Sequence, residues 1–131
     1  MAEKNRSKII GDNGERTARQ LLINKGYRII ETNYRLPCGE IDIIAADNEY
    51  IAFVEVKTRN TAALDRPSTF VDKRKQKKLI LTASQYLAEH ETELQPRFDV
   101  IEVIYDRTTG VIVHTEHIEN AFIQTEEYSA F

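Results

Sequence analysis

The stretch GEIDIIAADNEYIAFVEVKTR, from Gly39 to Arg59, decides the fold. Ile41, Ile43 and Ala45 alternate with Glu40, Asp42 and Ile44; Ala52, Val54 and Val56 then alternate with Phe53, Glu55 and Lys57. Period two is the strand period. Asp47-Asn48-Glu49 between the runs is a turn signal, so the stretch predicts an antiparallel hairpin. Its charges are the misfit. Residues two apart share a face of a strand, so Glu40 lies beside Asp42 and Glu55 beside Lys57. A turn symmetric about Asn48 and Glu49 sets Asp42 across from Glu55 and Glu40 across from Lys57. Such opposed Cβ atoms lie about 4.5–5.5 Å apart, where two carboxylates repel.

Two explanations fit the charges. In one, they line a solvated sheet face, where opposed Glu and Lys stabilise the sheet modestly. Ile41, Ile43, Val54 and Val56 are then left for the core. In the other, a divalent cation sits between Asp42 and Glu55 and removes their repulsion. Mg²⁺ takes one or two carboxylates and completes its octahedron with waters and phosphate oxygens. Such an ion lowers the pKa of a bound water and stabilises charge on a reacting phosphate. Lys57 would orient that water or neutralise the phosphate. The second explanation depends on register, because a one-residue slip separates the carboxylates.

Upstream, GDNGERTARQLLINKGY (residues 11–27) predicts a helix with an apolar stripe of Ala18, Leu21 and Leu22. Asp12 fits an N-cap with Glu15 three residues on, and Gly26 fits a C-terminal stop. Glu15 is thus either half of a capping box or a third ligand pointing at the hairpin. YRIIETNYRL (27–36) alternates like a strand, and residues 37–39 turn it.

Downstream, residues 60–71, with Pro67, predict an irregular loop. A second helix is expected from Asp72 to His90, with a stripe of Ile80, Ala83 and Leu87 flanked by Leu79 and Tyr86. Gln76 is in step with that stripe and interrupts it, and Lys73 lies a turn earlier. Lys73, Arg74 and Lys75 fall in the first turn, where positive charge opposes the helix dipole. A phosphate ligand would reverse that cost; a solvated basic face capped by Asp72 is the other explanation. RFDVIEVIYD (97–106) and VIVHTEHI (111–118) predict two more strands, joined through Thr109-Gly110. The order is a mixed α/β domain whose sheet is covered by at least two helices. Residues 1–10 and 121–131 are expected to fray.

The 131 residues fit one domain, and 41% hydrophobic residues allow a core. No apolar run approaches the roughly 18 residues of a membrane span, and the N-terminus lacks an apolar h-region. A cytoplasmic protein without membrane association is expected. Cys38 is the single cysteine, which rules out an internal disulfide and a thiolate metal cluster. His114 and His117 are three apart in a strand and make a poor zinc pair. Asp99 reads as a structural anchor. Net charge is −3, but residues 55–78 carry eight basic and three acidic side chains, net +5. A local basic patch for nucleic acid fits that asymmetry. Arg59, Lys73 and Lys77 are its expected phosphate contacts.

Gly11, Gly14, Glu15, Ala18, Leu22, Gly26 and Tyr27 spell GxxGExxAxxxLxxxGY, followed by NYR, GEIDII and FVEVKTR. In this order the motifs resemble the YraN-like bacterial family, strongly over residues 11–60 and onward through the second helix and RFDVI. That family is related to the restriction-endonuclease-like, PD-(D/E)xK nucleases and is most similar to archaeal Holliday-junction resolvases. The resemblance implies a central mixed β-sheet flanked by α-helices. It also implies a site that uses Mg²⁺ or Mn²⁺, in which the superfamily's positions match Glu15, Asp42, Glu55 and Lys57. Gln76 matches a polar helix residue that faces the site in some relatives. The implied function is a metal-dependent endonuclease hydrolysing DNA, branched or junction DNA included, with DNA favoured over RNA. Homodimers suit the two-fold symmetry of junctions. The competing expectation is a non-catalytic nucleic-acid-binding or adaptor module on the same fold.

Overall fold

The computed structural model describes residues 2–63 and 71–122. Helix α1 (Ala2–Asn24) leads into β1 (Arg28–Leu36), β2 (Gly39–Ala46) and β3 (Tyr50–Asn60). A 3-10 turn (Thr61–Ala63) follows, then α2 (Lys73–Glu89), β4 (Gln95–Tyr105) and β5 (Ile112–Ile118). The five strands form one sheet in chain order. Neighbours pair antiparallel except β3 and β4, which are parallel and are linked through α2. Most of the loop expected at 60–71 lies outside the described residues, as do residues 123–131.

The helices cover opposite faces. Ala18 and Leu22 of α1 pack with Ile43, Ala45, Ala52, Val54, Ile101 and Val103. Leu79, Ile80, Ala83 and Tyr86 of α2 pack with Ile44, Ile51, Phe53, Phe98 and Val100. Strand alternation explains the division, since successive residues point to opposite faces and both faces are apolar here. The single core face expected for the hairpin is therefore corrected to two. Ile41 joins the α2 side and Ile43 the α1 side, so alternation slips at Asp42.

Helix α1 begins at Ala2, ahead of the expected cap at Asp12. Asp12 is inside the helix and pairs with Lys8 four residues back at 2.9 Å. Arg6 Nη2 donates to the carbonyls of Arg107 and Thr108 at 2.7 and 3.1 Å, docking the first turns on the β4–β5 connection. That tertiary contact carries the helix through residues expected to fray. At the other end, the Ala121 amide donates to the Phe98 carbonyl at 2.7 Å, and Phe122 stacks on Phe98. Helix α2 starts as expected: the Asp72 side chain accepts from the Lys75 amide at 2.9 Å. Its buried stripe is Leu79, Ile80, Thr82, Ala83 and Tyr86, so Ile80 and Ala83 are buried as expected, whereas Leu87 is only partly buried. No helix among the described residues is long and apolar enough to cross a membrane.

Candidate functional site

The hairpin register predicted from turn symmetry is the one adopted, with Ile43 aligned to Val54, Ile44 to Phe53, Ala45 to Ala52 and Ala46 to Ile51. The ladder stops at Ile43. Beyond it Asp42 accepts the Val56 amide on Oδ2 at 2.8 Å, so a side chain takes over the bond that the parting strands give up. Glu40 does not oppose Lys57. It aligns with Arg35 of β1 and pairs with it, Nε to Oε1, at 3.3 Å. The strands have separated by then, and Arg35, which pairs with Glu40, is across the other ladder.

Asp42 and Glu55 line one pocket of about 250 Å³ with Gly39, Glu40, Lys75, Lys78 and Leu79. Glu55 is buried, 6% exposed, so a solvated sheet face does not explain its charge, whereas Glu40 is exposed and paired with Arg35 as on such a face. Helix α2 covers it, and Lys75 Nζ lies 2.5 Å from Glu55 Oε1. Burial pushes the Asp42 carboxyl up to about 7, and the neighbouring Glu55 and Glu15 push the same way. The Val56 amide and Lys75 pull against that rise without cancelling it. Burial works against the Lys75 ammonium, but the hydrogen bond and charge of Glu55 hold its pKa above the usual lysine value.

Glu15 lies in α1 close enough to raise Asp42, and the helix running on past Asp12 removes the capping-box explanation for it. Gly14 sets this approach: a Cβ there would come within 2.6 Å of Thr58 Oγ1 on β3. Lys57 shares the Glu55 side of β3 by alternation and aligns with Glu102 of β4. Arg59 is mostly buried, with Nε 3.3 Å from Glu102 Oε2. Lys73 and Lys77 are exposed on α2 and do not line the pocket. Gln76 turns back on its own helix entry, where Nε2 donates to the Val71 carbonyl at 2.6 Å.

Lys75 is the site residue that the sequence pattern missed. It lies four, seven and eleven residues before Leu79, Thr82 and Tyr86, all buried. A stripe centred on those residues would have placed it at the head of the buried face. Among the described residues no three His, Cys, Asp or Glu side chains form a metal cage. Two convergent carboxylates nonetheless fit Mg²⁺ or Mn²⁺, which take one or two carboxylates and leave the remaining positions to water and phosphate. A wider cleft of about 830 Å³ lies by the end of α2, lined by Ser84, Leu87 and Glu91–Leu94. Its carboxylates Glu91 and Glu93 are exposed, so it lacks the buried opposed charges of the smaller pocket.

On the α1 side of the sheet, Asp99 organises a second polar cluster. Arg97 donates to both its oxygens at 2.8 Å, His117 Nε2 contacts Oδ2 at 2.8 Å and the Asn120 amide donates to Oδ1 at 2.9 Å. Arg97 also donates to the Tyr27 hydroxyl. These bonds hold the Asp99 carboxyl below the usual aspartate value although burial opposes it. Asp99 is a structural anchor, as read from the sequence, and it lies within β4 rather than at its start.

A mixed five-stranded sheet with one helix on each face, and paired carboxylates where β2 and β3 diverge, is an α/β protein of restriction-endonuclease-like architecture. Residues 14–103 match the model of uncharacterised protein family UPF0102, and the chain belongs to that family. It is 42% identical over 121 residues to the UPF0102 protein of Caldanaerobacter subterraneus subsp. tengcongensis, covering 92% of this chain and 99% of the relative. The UPF0102 protein of Chlorobium phaeobacteroides is 47% identical over 118 residues, covering 87% and 94%. That of Alkaliphilus metalliredigens is 46% identical over 117 residues, covering 88% and 99%.

Proposed function

We propose that the chain is a metal-dependent endonuclease that hydrolyses DNA phosphodiesters, with branched or junction DNA among its candidate substrates. The observation that carries this reading is the convergence of Asp42 and buried Glu55 in one pocket, where burial and mutual repulsion push Asp42 up to about 7. The Lys75 ammonium offsets that repulsion only in part, since Asp42 stays raised with Lys75 beside it, and a divalent cation would remove the rest. Asp42 and Glu55 would hold Mg²⁺ or Mn²⁺, which supplies Lewis-acid stabilisation of the phosphate and a water of lowered pKa. Glu15 supports the ion or its water from α1. Lys57, on the Glu55 side of β3, orients the attacking water or neutralises the phosphate. Water attacks phosphorus, one P–O bond breaks, and the departing sugar oxygen takes a proton. Lys73 and Lys77 on the open face of α2 supply charge for the DNA backbone, and Arg59, set against Glu102 near the end of β3, would join them only by turning out of that pair. A homodimer would match a two-fold junction.

Cleavage of branched, single-stranded and duplex DNA with Mg²⁺ or Mn²⁺ tests this. Asp42→Ala and Glu55→Ala are expected to lose at least a hundredfold in rate while still binding DNA, on the scale of losing a charge-stabilising group. Wild-type protein that binds DNA and never cuts it is a binding or adaptor module. No salt-sensitive binding to DNA or RNA overturns both.

A further inference from the structure

Lys75 pairs with one of the two carboxylates that the proposed nuclease site would give to a metal ion. Its ammonium meets Glu55 Oε1 at 2.5 Å in the pocket that Asp42 also lines. Its backbone amide donates to the Asp72 cap at 2.9 Å, which puts its charge in the first turn of α2. Positive charge is disfavoured at that end of a helix, so the carboxylates below hold the ammonium there against the dipole. Its partner is sealed, with the Glu55 side chain 8% exposed, whereas the Lys75 side chain is 51% exposed and open to solvent. Glu55 therefore stays and Lys75 is free to swing away. Lys78 lines the same pocket, so a second ammonium borders the path out.

We propose that Lys75 is a resident cation of the site, displaced from Glu55 by a divalent ion and then delivered to a phosphate of the bound nucleic acid. This rests on the metal-site reading. One Glu55 oxygen does not serve an ammonium and a metal ion together at full strength, so the two compete. Until the exchange, Lys75 offsets the charge of Glu55. The exchange also ties phosphate binding by Lys75 to metal loading. A lysine that only fastened α2 to β3 would show neither coupling.

The test uses the full chain and Mn²⁺ alone, titrated by calorimetry without DNA. Lys75→Gln is expected to bind Mn²⁺ about fivefold more tightly than wild type, the scale of one partly exposed ion pair. Lys75→Arg, which keeps the pairing charge, is expected to bind no more tightly than wild type. Binding of a branched DNA oligonucleotide is then compared with Ca²⁺ and with EDTA. Lys75→Gln is expected to lose about fivefold in DNA affinity with Ca²⁺ and little without it, on the same ion-pair scale. Equal Mn²⁺ affinity in wild type and Lys75→Gln, both folded by circular dichroism, overturns the role of Lys75 and leaves the metal site standing. Mn²⁺ binding by none of these proteins overturns both.

Discussion

The Val56 amide donates to Asp42 Oδ2 at 2.8 Å just past the last ladder pair of β2 and β3. One carboxylate thus closes the hairpin and faces the pocket, where burial and Glu55 raise its pKa to about 7. Unfolded, the group titrates near 3.8. Between those values the native state holds a proton that the unfolded chain has lost, so stability falls as pH rises and levels off above about 7. Asp42→Asn keeps an acceptor for Val56 and removes the titration. It is expected to be about 1–3 kcal/mol more stable than wild type at pH 8, with little difference at pH 4. Urea unfolding across pH 4–8 measures this, and parallel pH profiles for the two proteins would contradict it.

Divalent ions should counter the same penalty. At pH 8, Mn²⁺ at about a hundred times its dissociation constant is expected to stabilise wild type by about 2.7 kcal/mol, and the gain should shrink toward pH 5. Glu55→Gln should lose most of it. Thermal melts with and without Mn²⁺ decide the matter; an equal rise in both proteins would place the ion elsewhere.

Asp99 offers a contrast, because its partners hold its carboxyl below the usual value. Its contribution to stability is present above about pH 4 and is lost as pH falls through the depressed value. Asp99→Ala strands Arg97, which is 7% exposed, and is expected to cost about 3–5 kcal/mol at pH 7. Denaturant titration checks the loss. DNA binding measured on the fraction that remains folded should be unchanged, since the cluster lies on the α1 side of the sheet.

Gly14 stands where a Cβ would come within 2.6 Å of Thr58 Oγ1. Gly14→Ala gains about 1 kcal/mol of helix propensity but forces α1 off β3, with an expected net loss of about 1–2 kcal/mol. In a Thr58→Ala background the same change should become neutral or stabilising. A double-mutant cycle in urea reads the coupling, and strict additivity would refute the clash.

Much of this site was legible in the chain. A symmetric turn set the hairpin register, because its position fixes which residues of the two strands face one another, Ile43 with Val54 and Ile44 with Phe53. Asp72 marked the start of α2, because a capping carboxylate acts on amides only a few residues away. The start of α1 was not legible. Its first turns are held by carbonyls of the β4–β5 connection, contacts that no local pattern around Ala2–Gly11 encodes.

By itself the sequence determined the strands, the register and the acids that the hairpin brings together, since each follows from interactions between near neighbours. Tertiary structure decided what those acids experience. Packing of Leu79, Ile80 and Tyr86 against Ile44 and Phe53 lays α2 over the hairpin, takes Glu55 out of water and lowers Lys75 onto it. A charge is solvated or buried according to what covers it, and the cover here comes from a distant part of the chain.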